Sequence, residues 1–291
     1  MNTMSLPRPA APPTQMMPVH ASSLPPSPTP APSGPPSPRA RIKARGLDRY
    51  LTGMGVDLDD VRRVKTPAPT ETFMPLPHGE YYDQIASSLA AAGIEQVETF
   101  HSLYRGGDRY IGLAITDVLD DSTHSDVVVG WFNAHDRSKA ATFLLGEQVT
   151  VCFNLCLHAE IKVARKHTKH IQRDMPGLID SAVARIEEKV ALHEERMTKY
   201  LNHPLSEREG AHLLVRLHDR GAFPKSKITH VLKEWREPSQ EEWARAWNIN
   251  RLYQAVTVQR TPVMSMAQRH LALHSVLDHY IAKRMGSSAN L

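Results

Sequence analysis

Near residue 165 the spacing of apolar residues along this chain changes, and that change constrains the fold more than any single motif does. Before it, runs such as "VETFHSLY", "YIGLAIT", "DVVVGWF" and "ATFLLGEQVTVCFNLC" are rich in β-branched and aromatic residues and are separated by turn-forming clusters. After it, Leu178, Ala182, Ile186, Val190, His193, Met197 and Leu201 recur at steps of three and four, the stripe expected on one long helix. The expected class is α+β, with an antiparallel sheet in the N-terminal half of the body and a helical C-terminal half. Strands that follow one another closely in sequence favour a meander.

This places a single α+β domain at 73–291, with its sheet part at 94–160 and its helical part at 170–285. Ahead of the sheet, Tyr82, Ile85 and Leu89 share a helical period, and Gly93 sits where a C-terminal cap is expected. A strand should start at Gln96, "GGD" should turn a hairpin, and "RSK" should separate two later β-rich runs. Ser206 with Glu209 and Ser239 with Glu242 each match a capping box. The second would open a helix carrying Trp243, Trp247 and Tyr253, and a last helix should bury Leu273, Leu277 and Ile281.

Residues 1–40 hold 13 of the 22 prolines, no acid and no aromatic, so they cannot build a core and are expected to form a disordered tail. Residues 41–72 read as a basic arm or linker with a short helix after Val56. The pI near 9.0 invites a nucleic-acid partner, but the charge is uneven. Residues 1–65 carry nine Lys/Arg against four Asp/Glu, which leaves 66–291 at about −1 of the chain's +4. Phosphate contacts in the folded body must therefore come from local patches. Cys152 and Cys156, four apart in an apolar run, read as buried small hydrophobes rather than a staple. No apolar run approaches the roughly 20 residues of a membrane span. A cytoplasmic protein is expected, with no membrane partner; a homo-oligomer is compatible with the sequence.

Three stretches carry candidate chemistry. The densest cationic one is "KVARKHTKHIQRD" (162–174), in which Lys162, Arg165, Lys166, His167, Lys169, His170 and Arg173 precede or enter a helix. Positive charge there opposes the helix dipole, a conflict that a bound phosphate would remove and a solvated connector would tolerate. His158, Glu160, His167 and His170, and separately His270, His274 and Asp278 on one helix face, have donor atoms suited to a metal. Their spacing is not diagnostic, and no metal or cofactor is expected. In "NAHDRS", Asn133, His135, Asp136 and Ser138 could form a general-base relay or an ordinary polar turn, because neighbours on a strand point to opposite faces.

The elements "NAHDRSKAATF", "VTVCFNLC" and "LYQAVTV" resemble the phage and plasmid-like proteins grouped as domain of unknown function 932, including the YfjQ-type prophage proteins. The resemblance runs through Asn133, His135, Asp136 and Ser138, then Val151, Cys152 and Asn154, then His167, then Tyr253 and Gln254, from about Pro75 to the last helix. Arg137 stands where that family usually has glycine, and Asn250 where it often has tryptophan. The resemblance implies a mobile-element protein without an assigned activity. Sheet followed by helix with a basic segment between is also similar to single-strand annealing proteins of the Redβ and RecT type, a likeness of architecture only. The resulting expectation is a non-catalytic protein that binds nucleic acid, single-stranded DNA first, for recombination or replication, with Trp131 or Tyr110 stacking on bases. The alternatives are a metal-assisted hydrolase or nuclease built on the "NAHD" turn, and a protein that engages a host or plasmid partner.

Overall fold

The computed structural model describes residues 51, 53–118, 125–149, 154–259, 261 and 263–288. The proline-rich tail, the basic residues of 41–50, Val151 and Cys152 lie outside the described residues, as do the side chains of Asn154, Cys156, His158 and Glu160. Six strands form one antiparallel meander in sequence order: β1 (Met54–Val56), β2 (Gln96–Tyr104), β3 (Arg109–Thr116), β4 (Ser125–Ala134), β5 (Ala141–Val149) and β6 (Asn154–Arg165). The expected start at Gln96 and the "GGD" turn are found. Arg105, Gly106 and Gly107 all take positive φ between β2 and β3, a conformation that glycine adopts without a β-carbon penalty.

Two expectations about boundaries change. Residues 54–63 are part of the domain rather than a linker: β1 pairs with β2, and helix α1 (Leu58–Arg63) buries Val61 in the sheet core and bonds Arg62 to Asp83 of α2 (His78–Ala91). The sheet also runs past residue 160. Ala141 pairs with Arg165 and Leu144 with Lys162, so both basic residues belong to β6.

The sheet is covered on both sides. One face packs Tyr110, Trp131, Phe143 and Leu145 against Tyr81, Ile85 and Leu89 of α2 and against Ile171, Met175 and Ile179 of α3 (Ile171–Val183). On the other face Ile111, Leu113, Phe132 and Leu144 cluster with Val263, Met266 and Ala267 of the terminal helix α9 (Val263–Ser288). A sheet with two dry faces needs apolar residues at successive positions, which is why "YIGLAI" and "VVVGWF" do not alternate.

The remaining helices are α4 (Ile186–Asn202), α5 (Glu207–Asp219), α6 (Ile228–Arg236), α7 (Glu241–Ala244) and α8 (Ile249–Thr257), and all of them but α7 build a second core with α9 around Tyr200, Leu217, Trp235, Leu252, Leu273 and Leu277. The single long helix expected at 170–201 is two helices. At their junction Arg185 N–H bonds Ala182 carbonyl, a tighter turn than the α-helix makes. That turn resets the stripe: Ile171, Met175 and Ile179 are buried before it and Ile186, His193 and Tyr200 after it, whereas Leu178 is 37% and Leu201 53% exposed. The Trp243 to Tyr253 helix also divides, because Asn248 caps α8 by accepting from Arg251 N–H and donating to Leu201 carbonyl. The Ser206–Glu209 capping box forms, but Ser239 instead donates to Glu234 at the end of α6. Leu273, Leu277 and Ile281 are buried as expected. No helix among the described residues is long and apolar enough to cross a membrane.

Gly112 shows how closely the sheet is packed where it meets α2. A β-carbon there would lie 2.3 Å from the Trp131 indole, a rigid ring in the centre of the core. Gly112→Ala is expected to destabilise the chain by about 1–3 kcal/mol, the usual cost of overpacking, read as a lower urea midpoint.

Candidate functional site

At the end of the sheet where β3 starts and β4 ends, buried polar groups converge on two backbone carbonyls. Asn133 Nδ2 donates to the Leu76 carbonyl at 2.6 Å and meets His78 Nδ1 at 2.9 Å. His135 Nε2 donates to the same Leu76 carbonyl at 3.0 Å, and His78 Nε2 donates to the Gly107 carbonyl at 2.9 Å. A carbonyl only accepts, so each imidazole carries its proton on Nε2, and His78 Nδ1 is left to accept from Asn133. Asn133 Oδ1 accepts from Ala134 N–H. The His78 and His135 rings stack at 3.8 Å between centroids, 4° from parallel. This cluster fastens the segment before α2 to the end of β4.

The polar turn has a structural part to play. Asn133 and His135 are buried with their donors committed to the Leu76 carbonyl and to His78 Nδ1, His135 Nδ1 keeps its lone pair, and Asp136 makes its bonds elsewhere. Its carboxylate accepts from Arg109 Nε at 2.7 Å and from both the N–H and the hydroxyl of Ser138. Burial works to raise the Asp136 pKa, but the Ser138 and Arg109 bonds outweigh it and hold the carboxyl below its usual range. Arg137 adopts φ +61°, the left-handed conformation that glycine favours. Its guanidinium compensates by lying 4.6 Å over the Phe73 ring and donating to Thr70 Oγ1.

The basic segment divides into residues that are engaged and residues that face out. Arg165 and Arg173 both bind Asp174 in the first turn of α3. The two guanidiniums, Arg173 foremost, hold that carboxyl below its usual range. The charge conflict expected at this helix start is therefore answered by the chain's own Asp174. Lys166, Lys169 and His170 are exposed. Lys162 is exposed too, but it alternates with Val163, which packs on the α2 side, so Lys162 projects from the other face of the sheet. His167 is only 6% exposed and sits against Phe73 at 5.5 Å, while its carbonyl accepts from Met74 N–H at 3.0 Å.

The polar turn and the basic segment share one surface. A cleft of about 390 Å³ is lined by Thr72 and Phe73, by Arg137 to Ala140, and by Lys166, His167 and Thr168. Three of these residues are cationic and none is acidic. The sequence reading included Ser138, Lys166 and His167 but missed Thr72, Phe73, Lys139, Arg137 as a cleft residue and His78 behind it. The one signal available was Arg137, standing where the family that the chain resembles usually has glycine.

Trp131 and Tyr110, expected to stack on bases, are buried in the sheet core, so that expectation fails. No cluster of three or more metal-ligating side chains occurs among the described residues. His274 and Asp278 both meet the Tyr200 hydroxyl, and Asp278 also binds Arg196. No family model, no curated protein and no solved structure matches the chain.

Four buried imidazoles, three at this end of the sheet and His101 further along β2, resist protonation. Burial foremost lowers His78 to about 3, His101 to about 4 and His167 to about 4, and it lowers His135 in the same direction. The unfolded chain, with histidines near 6.5, binds protons first as pH falls, so stability is complete above about pH 7 and is lost through the window down to about 3. Urea midpoints are expected to fall steadily across that window. A midpoint that stayed level or rose on acidification would mean these rings carry protons in the folded state.

Proposed function

We propose that this chain binds the phosphate backbone of nucleic acid, single-stranded DNA in the first instance, without performing chemistry on it. The observation that carries the reading is the meeting of Arg137, Lys139 and Lys166 in one cleft free of lining carboxylates, with Lys169 and His170 continuing from it as exposed residues. Of the neighbouring acids, Asp136 is occupied by Arg109 and Asp174 by Arg165 and Arg173, while Glu71, next to Thr72, is exposed and offsets part of the positive charge. Such a surface attracts phosphates whatever the base sequence, and its binding should depend steeply on salt. With Trp131 and Tyr110 in the core, the reading rests on charge, and the preference for single strands rests on the architectural likeness to annealing proteins. The resemblance to the domain of unknown function 932 proteins, carried by the quoted motifs alone, adds the reading of a phage, prophage or plasmid protein. The hydrolase reading has less to carry it: Asn133 and His135 are buried and hold Leu76, His135 Nδ1 keeps a lone pair with no partner, and no cluster of three or more metal-ligating side chains occurs among the described residues.

Fluorescence anisotropy with short labelled single strands and duplexes tests the proposal. Binding is expected at low salt, with log affinity falling against log salt at a slope of about −2 for three neutralised phosphates on a single strand. Replacing Arg137 with Gly, Lys139 with Ala and Lys166 with Ala together should cost at least about tenfold in affinity and flatten that slope. Absence of binding at low salt, or a triple variant that binds like the parent, would refute it.

A further inference from the structure

We propose that the cleft is a pocket for a phosphate monoester, the terminal phosphate of a strand or of a mononucleotide, rather than a track for internal diesters. The inference rests on the phosphate-binding reading above and gives it a ligand class. Its first support is the size of the space: about 390 Å³ falls in the range of small-ligand pockets, about 300–1,000 Å³. The second is the donor set. The hydroxyls of Thr72, Ser138 and Thr168 join the three cations around it. An internal diester carries one negative charge and two free oxygens, whereas a monoester near neutral pH carries almost two charges and three acceptor oxygens. Three cations are better matched to the second.

The third support is independent of the charge pattern. His167 lines the cleft and is more than nine-tenths buried, and apart from a poorly aligned approach to the Met74 backbone neither ring nitrogen has a hydrogen-bond partner. A buried polar group left unpaired in a folded protein is costly and uncommon, and a partner that arrives from outside is one resolution. A phosphate oxygen at the cleft floor would accept the ring N–H of neutral His167 while its remaining oxygens meet Arg137 and the lysines. Arg137 is already held for this by Phe73 and Thr70, in a backbone conformation that arginine rarely adopts. An observed backbone outlier on a cleft wall and a poorly paired buried histidine on the same cleft point to one ligand.

The experiment compares three probes on the full chain at one salt concentration: a strand with a 5′-phosphate, the same strand with hydroxyl ends, and a nucleoside 5′-monophosphate. The phosphorylated strand is expected to bind about tenfold more tightly than the hydroxyl-ended one, the ratio that one charged hydrogen bond supplies. His167→Ala should erase that difference. Arg137→Gly should reduce it as well, and it is a second variant whose backbone suits the position. Equal affinity for the two strands would overturn the monoester pocket and leave backbone binding intact. Binding of the mononucleotide with no binding of either strand would uphold the pocket and overturn the nucleic-acid reading. No binding of any probe would overturn both.

Discussion

One backbone carbonyl, that of Leu76, holds the candidate site together. It accepts from Asn133 at the end of β4 and from His135 one residue beyond that strand, while His78, which follows it by two residues, bonds Gly107 in the β2–β3 turn. These bonds join parts of the chain that are 29 to 59 residues apart in sequence. Buried, they are worth more than their number implies, because removing one partner leaves the others desolvated and unpaired. The cleft wall at Thr72 and Phe73 comes immediately before this lock, and Met74 N–H ties the same segment to the His167 carbonyl. Cleft geometry and sheet integrity therefore share one set of interactions.

The lock works only with neutral rings. His78 Nδ1 accepts from the Asn133 amide, so a proton placed there would face an N–H, and a charge on either stacked ring would be felt by the other at 3.8 Å. The cations of the site lie outside this layer, on Arg137, Lys139 and Lys166. The molecule thus separates a dry, uncharged layer that fixes geometry from an outer layer that presents charge. His167 lies between the two layers.

The fold was largely legible in the sequence where structure is local. Gly93 with φ +75° ends α2, the strand at Gln96 begins where the periodicity changes, and the Ser206–Glu209 box forms because its bonds span three residues. Legibility failed where a distant partner decides. The charged alternation of "EIKVAR" looked like the approach to a helix, yet pairing with β5 makes it a strand. Trp131 and Tyr110 looked available to bases until helix α2 covered their face. Arg251 gave no sign of being buried, but its guanidinium is held by the Trp235, Arg236 and Ala244 carbonyls under Trp247. The site was half legible. Both of its segments carry motifs, but the motifs leave Asn133 and His135 between a relay and a polar turn, because the acceptor they share is a backbone carbonyl that no side-chain pattern can show.

The claim on which the rest stands is that His78 and His135 are neutral, Nε2-protonated structural groups. Long-range nitrogen NMR of the imidazole rings reads tautomer and charge directly. At a pH near the ordinary histidine value, about 6.5, both rings should be neutral with the proton on Nε2, and His78 Nδ1 should show the shift of a hydrogen-bonded acceptor. A proton on Nδ1 of either ring, or a cationic ring at that pH, would contradict the account.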